Sequence, residues 1–336
     1  MIQKKVVNII PWCSAVVTFG LNALHGRHYI GHGVWGGAWN STNARDFIRY
    51  TVSKGYPVDS WEFGNELSGH GIGASVDAKV YGGDLIGLKS VLDDLYKNIS
   101  SKPLLLAPGG FYERQWYAQL LESSGSGVVD AVTHHIYNLG GGEAGGAFNS
   151  GGRFISNTFL NSFWYLDQLG MASKFNTKAY CRQTLIGGNY GLLDTKTFIP
   201  NPDYYRLARI SLVLINLSNS TEFRIRIQKE MNGTNSMECE TRRRSLFPWF
   251  EEDDTLRWNG IIRQSEQARG VSLTAKDGNL RSRTMLLNGR ALQLTEFGQI
   301  PDLVPSHVDD DNSPILASPL SIVFAVIPGF DVKACP

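Results

Sequence analysis

Between residues 15 and 205 short apolar runs alternate with helix-period patterns, and polar side chains recur just past the ends of the runs. Val16-Val17-Thr18-Phe19-Gly20-Leu21 predicts a buried strand that emerges at Asn22. Residues 43–54 predict a helix, with Asn43 as N-cap, Phe47, Ile48 and Thr51 facing inward, and Gly55 closing it. Further strands are expected at 58–63, 103–107, 128–135 and 178–183, and further helices at 83–99, 114–122 and 159–169. Strands separated by helices demand a parallel sheet, because parallel neighbours need a long crossover rather than a tight turn. The polar tips are Asn22, Asn65-Glu66, His134-His135 and Arg182-Gln183. They fall where a (β/α)8 barrel gathers its reactive groups, at the C-terminal ends of its strands. A doubly wound sheet would also alternate, but no GxGxxG follows the first strand.

Beyond residue 205 the period changes. Leu212-Val213-Leu214-Ile215-Asn216-Leu217, Glu222-Phe223-Arg224-Ile225-Arg226-Ile227, Thr284-Met285-Leu286-Leu287, Ala291-Leu292-Gln293-Leu294 and residues 321–327 predict strands. Asn288-Gly289 between two of them is a hairpin turn signal. The fold class expected is therefore α/β: an incomplete (β/α)8 TIM-type barrel over 15–205, then a C-terminal β-sandwich over 206–336. Residues 229–269 lack a usable period and mix Arg242-Arg243-Arg244 with Glu251-Glu252-Asp253-Asp254, which predicts poor order. Residues 1–14 form a separate N-terminal segment.

With 32 Lys and Arg against 31 Asp and Glu, the chain lacks the bulk charge of a nucleic-acid or polyanion binder. Its four cysteines, Cys13, Cys181, Cys239 and Cys335, show no zinc spacing and neither demand nor exclude a disulfide. His134-His135 could suggest a metal, but no third ligand has suitable spacing, and strand-end histidines are the commoner reading; no metal is expected. No apolar run is long enough to span a membrane, and Asn8 and Pro11 break the only stretch that could serve as a signal peptide. Against that, Asn-x-Ser/Thr sequons at Asn40, Asn98, Asn216, Asn219 and Asn232 lean towards secretion.

Trp61-Glu62-Phe63-Gly64-Asn65-Glu66 carries the chemistry. A strand delivers an Asn-Glu pair onto a glycine-marked turn. A carboxyl group held there can protonate a leaving oxygen and later, as carboxylate, activate water. The preceding Asn can hydrogen-bond a sugar hydroxyl. The alternative is a strand that simply ends in a polar turn. Trp35, Trp39, Trp164 and Tyr165 are candidates for a sugar platform or for core packing.

These motifs resemble plant heparanase-like proteins of glycoside hydrolase family 79, the endo-β-glucuronidase family. The resemblance is carried by residues 17–24, Trp39-Asn40-Ser41-Thr42-Asn43-Ala44, the Trp61–Glu66 hexapeptide and His134-His135-Ile136-Tyr137. It continues through residues 142–152, Tyr180-Cys181-Arg182-Gln183 and Asn201-Pro202-Asp203-Tyr204-Tyr205. It implies retaining hydrolysis of β-linked glucuronic acid without a cofactor, with Glu66 as acid/base and Glu143 as nucleophile. Asn22, Asn65, His135, Tyr137, Gly145, Gly146, Phe148, Arg182 and Gln183 would line the substrate site. Phe148 stands where the family often has Tyr. The implied partners are a glucuronic-acid-containing glycan, a proteoglycan or a small-molecule glucuronide, but no nucleic acid. The implied location is secreted or peripherally membrane-associated.

The chain also departs from that family. It begins at what resembles the third barrel strand. Only two residues separate Gly140, near the end of the resembled sixth strand, from Glu143, which belongs at the end of the seventh. Tyr204-Tyr205 leads almost directly into the all-β half. Read without the resemblance, the glycine-rich run around Glu143 is a flexible linker. A truncated, internally deleted member is the expectation, and a catalytically dead carbohydrate-binding remnant or mis-spliced fragment is the alternative.

Overall fold

The computed structural model describes residues 16–137, 150–205, 212–229, 235–241, 259–262, 269–301, 306–307, 314–326 and 330–331. The chain divides into two compact units, Met1–Ile136 and Tyr137–Pro336.

The first unit is built on strands β1 (Thr18–Leu21), β4 (Ser60–Phe63), β5 (Leu104–Phe111) and β6 (Ala131–His135). They form a parallel sheet in the order β1-β4-β5-β6. A hairpin, β2 (His28–Gly31) with β3 (Val34–Gly36), and helix α1 (Thr42–Ser53) link β1 to β4. Helices α2 (Ala78–Leu95) and α3 (Arg114–Ser124) make the next two crossovers. Each strand therefore lies beside its predecessor in the sheet, with no reversal of order, unlike a doubly wound sheet.

Period-two alternation sorts β4 into two faces. Trp61 and Phe63 are wholly buried, in a cluster with Ala44 and Ile48 of α1, Tyr81, Leu85 and Leu88 of α2, and Trp116 and Leu120 of α3. Each such side chain stabilises the unit by roughly 1.5–3 kcal/mol. The indole N–H groups are satisfied: Trp61 donates to the Tyr96 hydroxyl at 3.3 Å and Trp116 to the Val76 carbonyl at 3.0 Å. Ser60 and Glu62 point to the opposite face, where the hydroxyls of Thr18 and Ser60 lie 2.6 Å apart.

Several boundaries differ from the sequence pattern. Ser41, not Asn43, caps α1, because the Asn40 side chain accepts from Thr42 N at 3.0 Å and turns the chain earlier. Asp77 starts α2 ahead of the expected residue 83 by accepting from Lys79 N and Val80 N at 3.0 and 3.2 Å. Gly82 inside α2 is a close-approach position: a Cβ there would lie 2.3 Å from Ser123 Oγ on α3. Strand β5 runs on through Pro108-Gly109-Gly110, where an end was expected, and shifts register against β6 between Pro108 and Gly110.

In the second unit, helix α4 (Phe159–Lys174) precedes an all-β region. Its strands are β7 (Leu212–Asn216), β8 (Phe223–Lys229), β9 (Asn235–Thr241), β10 (Asn259–Ile262), β11 (Arg269–Ala275) and β12 (Met285–Leu287). They continue as β13 (Arg290–Ala291), β14 (Ser306–His307), β15 (Ile315–Ala317), β16 (Ser321–Val326) and β17 (Phe330–Asp331). One sheet has the order β15-β8-β9-β10-β17; the other has the order β13-β12-β11-β16-β7, with β14 on β11. Strand β16 is buried on both faces. Ile322 and Phe324 join Val271, Leu273 and Met285 beneath Phe159 and Phe163 of α4, while Val323 and Ala325 meet Ile225, Ile315 and Ala317 of the other sheet. That double burial explains its unbroken apolar run. The Asn288-Gly289 turn forms as expected, with φ of +48° and +79° between β12 and β13.

One reading of this half needs revision, that of residues 178–183. Of residues 229–269, expected to be poorly ordered, the described ones include β9 and β10, and β9 pairs with β8 along seven residues; the rest of that range lies outside the described residues. A partner strand supplies what local pattern does not. Residues 178–183, expected as a strand, carry none. No described strand pairs with them, and the Arg182 side chain is occupied by internal partners instead. The helix read at 159–169 does form, but it packs on the antiparallel sheet through Phe159 and Phe163.

Candidate active site

Glu66 sits on the turn after β4, held by the tips of its two neighbouring strands. Gly64 N donates to Leu21 O of β1 at 2.9 Å, and Glu66 N donates to Gly109 O of β5 at 2.8 Å. Gly64 has φ +78°, and a Cβ there would lie 3.1–3.2 Å from Leu67, Tyr81 and Ala23, so the turn beneath Glu66 favours glycine. Glu66 itself is left-handed, at φ +54°. That conformation costs a non-glycine residue about 1 kcal/mol; a side chain held so, at the end of a strand, is a recurrent feature of functional sites. The Glu66 carboxylate is 14% exposed, and its Oε1 lies 2.8 Å from His135 Nδ1 at the end of β6. Strands β1 and β5 thus hold the backbone of the turn, and β6 meets the carboxyl group it carries.

Ser68 ties the following loop to the same place, its hydroxyl donating to Phe111 O of β5 at 2.7 Å. The Tyr117 hydroxyl, from α3, reaches the carbonyls of both Gly110 and Thr133, at 3.0 and 3.1 Å. Burial raises the Tyr117 phenol above its ordinary range, so it stays a neutral donor to those carbonyls.

The other expected site residues are distributed as follows. Asn65 is exposed beside Glu66. Asn22 is exposed at the tip of β1; its Oδ1 accepts from Leu24 N at 2.8 Å and its carbonyl accepts from Trp39 Nε1 at 2.9 Å. His134 points away from His135, as alternation along β6 requires. Tyr137, Arg182 and Gln183 belong to the second unit, where the Tyr137 hydroxyl lies 3.4 Å from Gln183 Oε1. The Arg182 guanidinium is 6% exposed and bonds Asp203 at 2.9 Å and Tyr190 O at 2.9 Å. It also lies 5.6 and 5.8 Å from the ring centres of Trp164 and Tyr165. Glu143, Gly145, Gly146 and Phe148 lie outside the described residues.

Of the four aromatic residues weighed as a sugar platform, Tyr165 is buried, and Trp35 and Trp39 pack against the first unit's core. Sequence reasoning did not single out Glu62, Ser68, Tyr117 or Thr133. The only local signal was Pro108-Gly109-Gly110, a glycine pair at a strand end, which marks close backbone approach.

The family model for the glycosyl hydrolase family 79 N-terminal domain matches residues 4–143 and 141–170. Heparanase-like protein 1 of Arabidopsis thaliana is 45% identical, over 96% of this chain and 72% of its own length. The chain belongs to glycosyl hydrolase family 79. Within the family it is a plant heparanase-like protein. Baicalin-beta-D-glucuronidase of Scutellaria baicalensis is 33% identical, over 93% of this chain and 69% of its own. The hyaluronoglucuronidase of Hirudo nipponia is 27% identical, over 88% and 70%. The alignment to the Arabidopsis family 79 protein runs 401 residues although this chain has only 336, so the relative carries segments this chain lacks. No helix among the described residues is long and apolar enough to cross a membrane.

Proposed function

We propose that this family 79 member hydrolyses β-linked glucuronic acid in glycans or glucuronides with retention of configuration. The observation that carries the reading is Glu66: a strand-end carboxyl group, mostly shielded, with its backbone bonded to Gly109 and its side chain to His135. In the proposed reaction Glu66 gives its proton to the glycosidic oxygen as the Glu143 carboxylate attacks the anomeric carbon, forming a glycosyl ester and releasing the aglycone. Glu66, now a carboxylate, takes a proton from water, whose oxygen displaces Glu143 and regenerates both groups. That sequence requires the two carboxyl groups about 5–5.5 Å apart. Asn22, Asn65, His135, Tyr137, Arg182 and Gln183 would line the substrate site, with Gly145, Gly146 and Phe148 around the sugar's carboxylate.

The reading includes a partial (β/α)8 barrel over 15–205 and a β-sandwich over 206–336. The uninterrupted strand order of the parallel sheet between Thr18 and His135 supports the first for that stretch, and the apolar cluster shared by the two antiparallel sheets supports the second. It also includes a secreted or membrane-associated location, supported by exposed sequons at Asn98 and Asn219.

The test is turnover of an aryl β-glucuronide, with the anomer of the first-formed product read by NMR. Initial release of the β-anomer, abolished by Glu66→Gln and by Glu143→Gln, supports the reading; turnover indifferent to both substitutions overturns it. A second reading, a non-catalytic carbohydrate-binding remnant, is favoured by the family segments this chain lacks. Glycan binding without turnover, unchanged by either substitution, would decide for it.

A further inference from the structure

A chain of hydrogen bonds runs across three strands and ends on Glu66. Glu62, on the face of β4 away from the helices, accepts from the Thr133 hydroxyl of β6 at 2.7 Å. The Thr133 hydroxyl in turn accepts from Gly109 N of β5 at 2.9 Å. Gly109 O accepts from Glu66 N at 2.8 Å. Strands β4 and β6 are not neighbours; β5 lies between them. The missing side chain at residue 109 leaves room for Glu62 to reach over β5 in this position: a Cβ there would lie 2.9–3.2 Å from the Glu62 carboxyl atoms. The register shift between Pro108 and Gly110 accompanies this crossing, at the residue whose N–H bonds Thr133 and whose carbonyl bonds Glu66.

We infer that Glu62 and Thr133 are positioning residues that fix the left-handed turn carrying Glu66, through the backbone of Gly109. The physical grounds are these. A hydroxyl has one proton to give, and Thr133 gives it to Glu62, which orients its lone pair towards Gly109 N. The two bonds that share the Thr133 hydroxyl polarise one another, and together they fix the Gly109 backbone whose carbonyl holds Glu66 N. A strained turn persists only when its surroundings over-determine it, and a reacting carboxyl group must be held within about 0.5 Å of its working position. Glu62 stands four residues before Glu66 on the same strand and turn, so a single strand supplies both the held group and the anchor of its clamp. Where this concerns catalysis, it rests on the glycosidase reading of Glu66; where it concerns the turn, it does not.

The experiment is amide hydrogen exchange on the full chain, read at Gly109 and Glu66, for wild type, Thr133→Val and Thr133→Ser. Valine matches threonine in shape and suits a strand, yet lacks the hydroxyl. Thr133→Val is expected to speed exchange at Glu66, two bonds away, by about tenfold or more, and Thr133→Ser to restore protection. Glu62→Leu, which cuts the other end of the chain, should act like Thr133→Val and provides the same test if that variant does not fold. Unchanged protection at Glu66 in a folded Thr133→Val or Glu62→Leu variant overturns the inference. If wild type turns over an aryl β-glucuronide, Thr133→Val should also lower kcat about tenfold with KM little changed, and Thr133→Ser should recover it; equal kcat in all three overturns the catalytic half. If wild type shows no turnover, the glycosidase reading fails by itself and exchange at Glu66 still judges the clamp.

Discussion

His135 Nδ1 lies 2.8 Å from Glu66 Oε1, joining the end of β6 to the turn after β4 across the intervening β5. The two are 69 residues apart in the chain, and the contact exists only because the parallel sheet brings its strand tips level.

That contact should matter to rate more than to binding. Under the proposed mechanism, His135→Ala removes a partner of the acid/base and leaves the rest of the turn intact. kcat on an aryl β-glucuronide should fall roughly ten- to hundredfold, as for loss of a hydrogen bond to a charged group worth about 1.5–3 kcal/mol. Steady-state kinetics of the variant checks this; a rise in KM alone would point to a sugar contact instead.

Gly109 disfavours a side chain. Its φ is +57°, and a Cβ would press on the Glu62 carboxyl group at 2.9 Å. Gly109→Ala should destabilise the first unit by about 1–3 kcal/mol. A thermal denaturation series beside Gly83→Ala, where a Cβ meets nothing within 4 Å, separates this clash from a generic glycine effect.

Arg182 offers a contrast between substrate contact and structural support. Its guanidinium pairs with Asp203, which is 1% exposed and also accepts from Asn161 Nδ2 at 2.8 Å. Arg182→Ala leaves that carboxyl group buried without its cation, a change that costs about 3–5 kcal/mol. Chemical unfolding should show a loss of that size. A variant with wild-type stability and a raised KM would instead assign Arg182 to the sugar.

Asp194 should make the second unit acid-sensitive. Backbone N–H groups of Thr197 and Lys196 at 2.9 and 3.0 Å, then the Thr197 hydroxyl and Arg283, hold its carboxyl well below the usual carboxylate range. A folded pKa below the unfolded one gives stability that is full above the unfolded value, about 3.9, and is lost as pH falls below it. Because the group is partly exposed, the effect should be about 1 kcal/mol. Urea unfolding of wild type and Asp194→Asn should differ by that amount at pH 7 and converge towards pH 2.

The alternation of apolar runs and helix periods made the parallel sheet legible, because β4 and α2 each carry their burial pattern locally. The Asn288-Gly289 turn was legible for the same reason: two left-handed residues in a row leave few alternatives. Strand β9 was not, since its order comes from pairing with β8 rather than from its own period. Nor was the helix at Phe159, whose apolar side looks the same whether a parallel or an antiparallel sheet receives it.

At the site, the sequence by itself determined that Glu66 ends a strand on a glycine turn, since Phe63-Gly64-Asn65-Glu66 lies within one short segment. The family followed from the same motif and its companions. The tertiary structure alone decided what holds Glu66. His135, Thr133 and Gly109 come from strands far along the chain, and no local pattern records that their tips meet. Periodicity fixes which face a residue takes; only the register between strands fixes which residue it meets there.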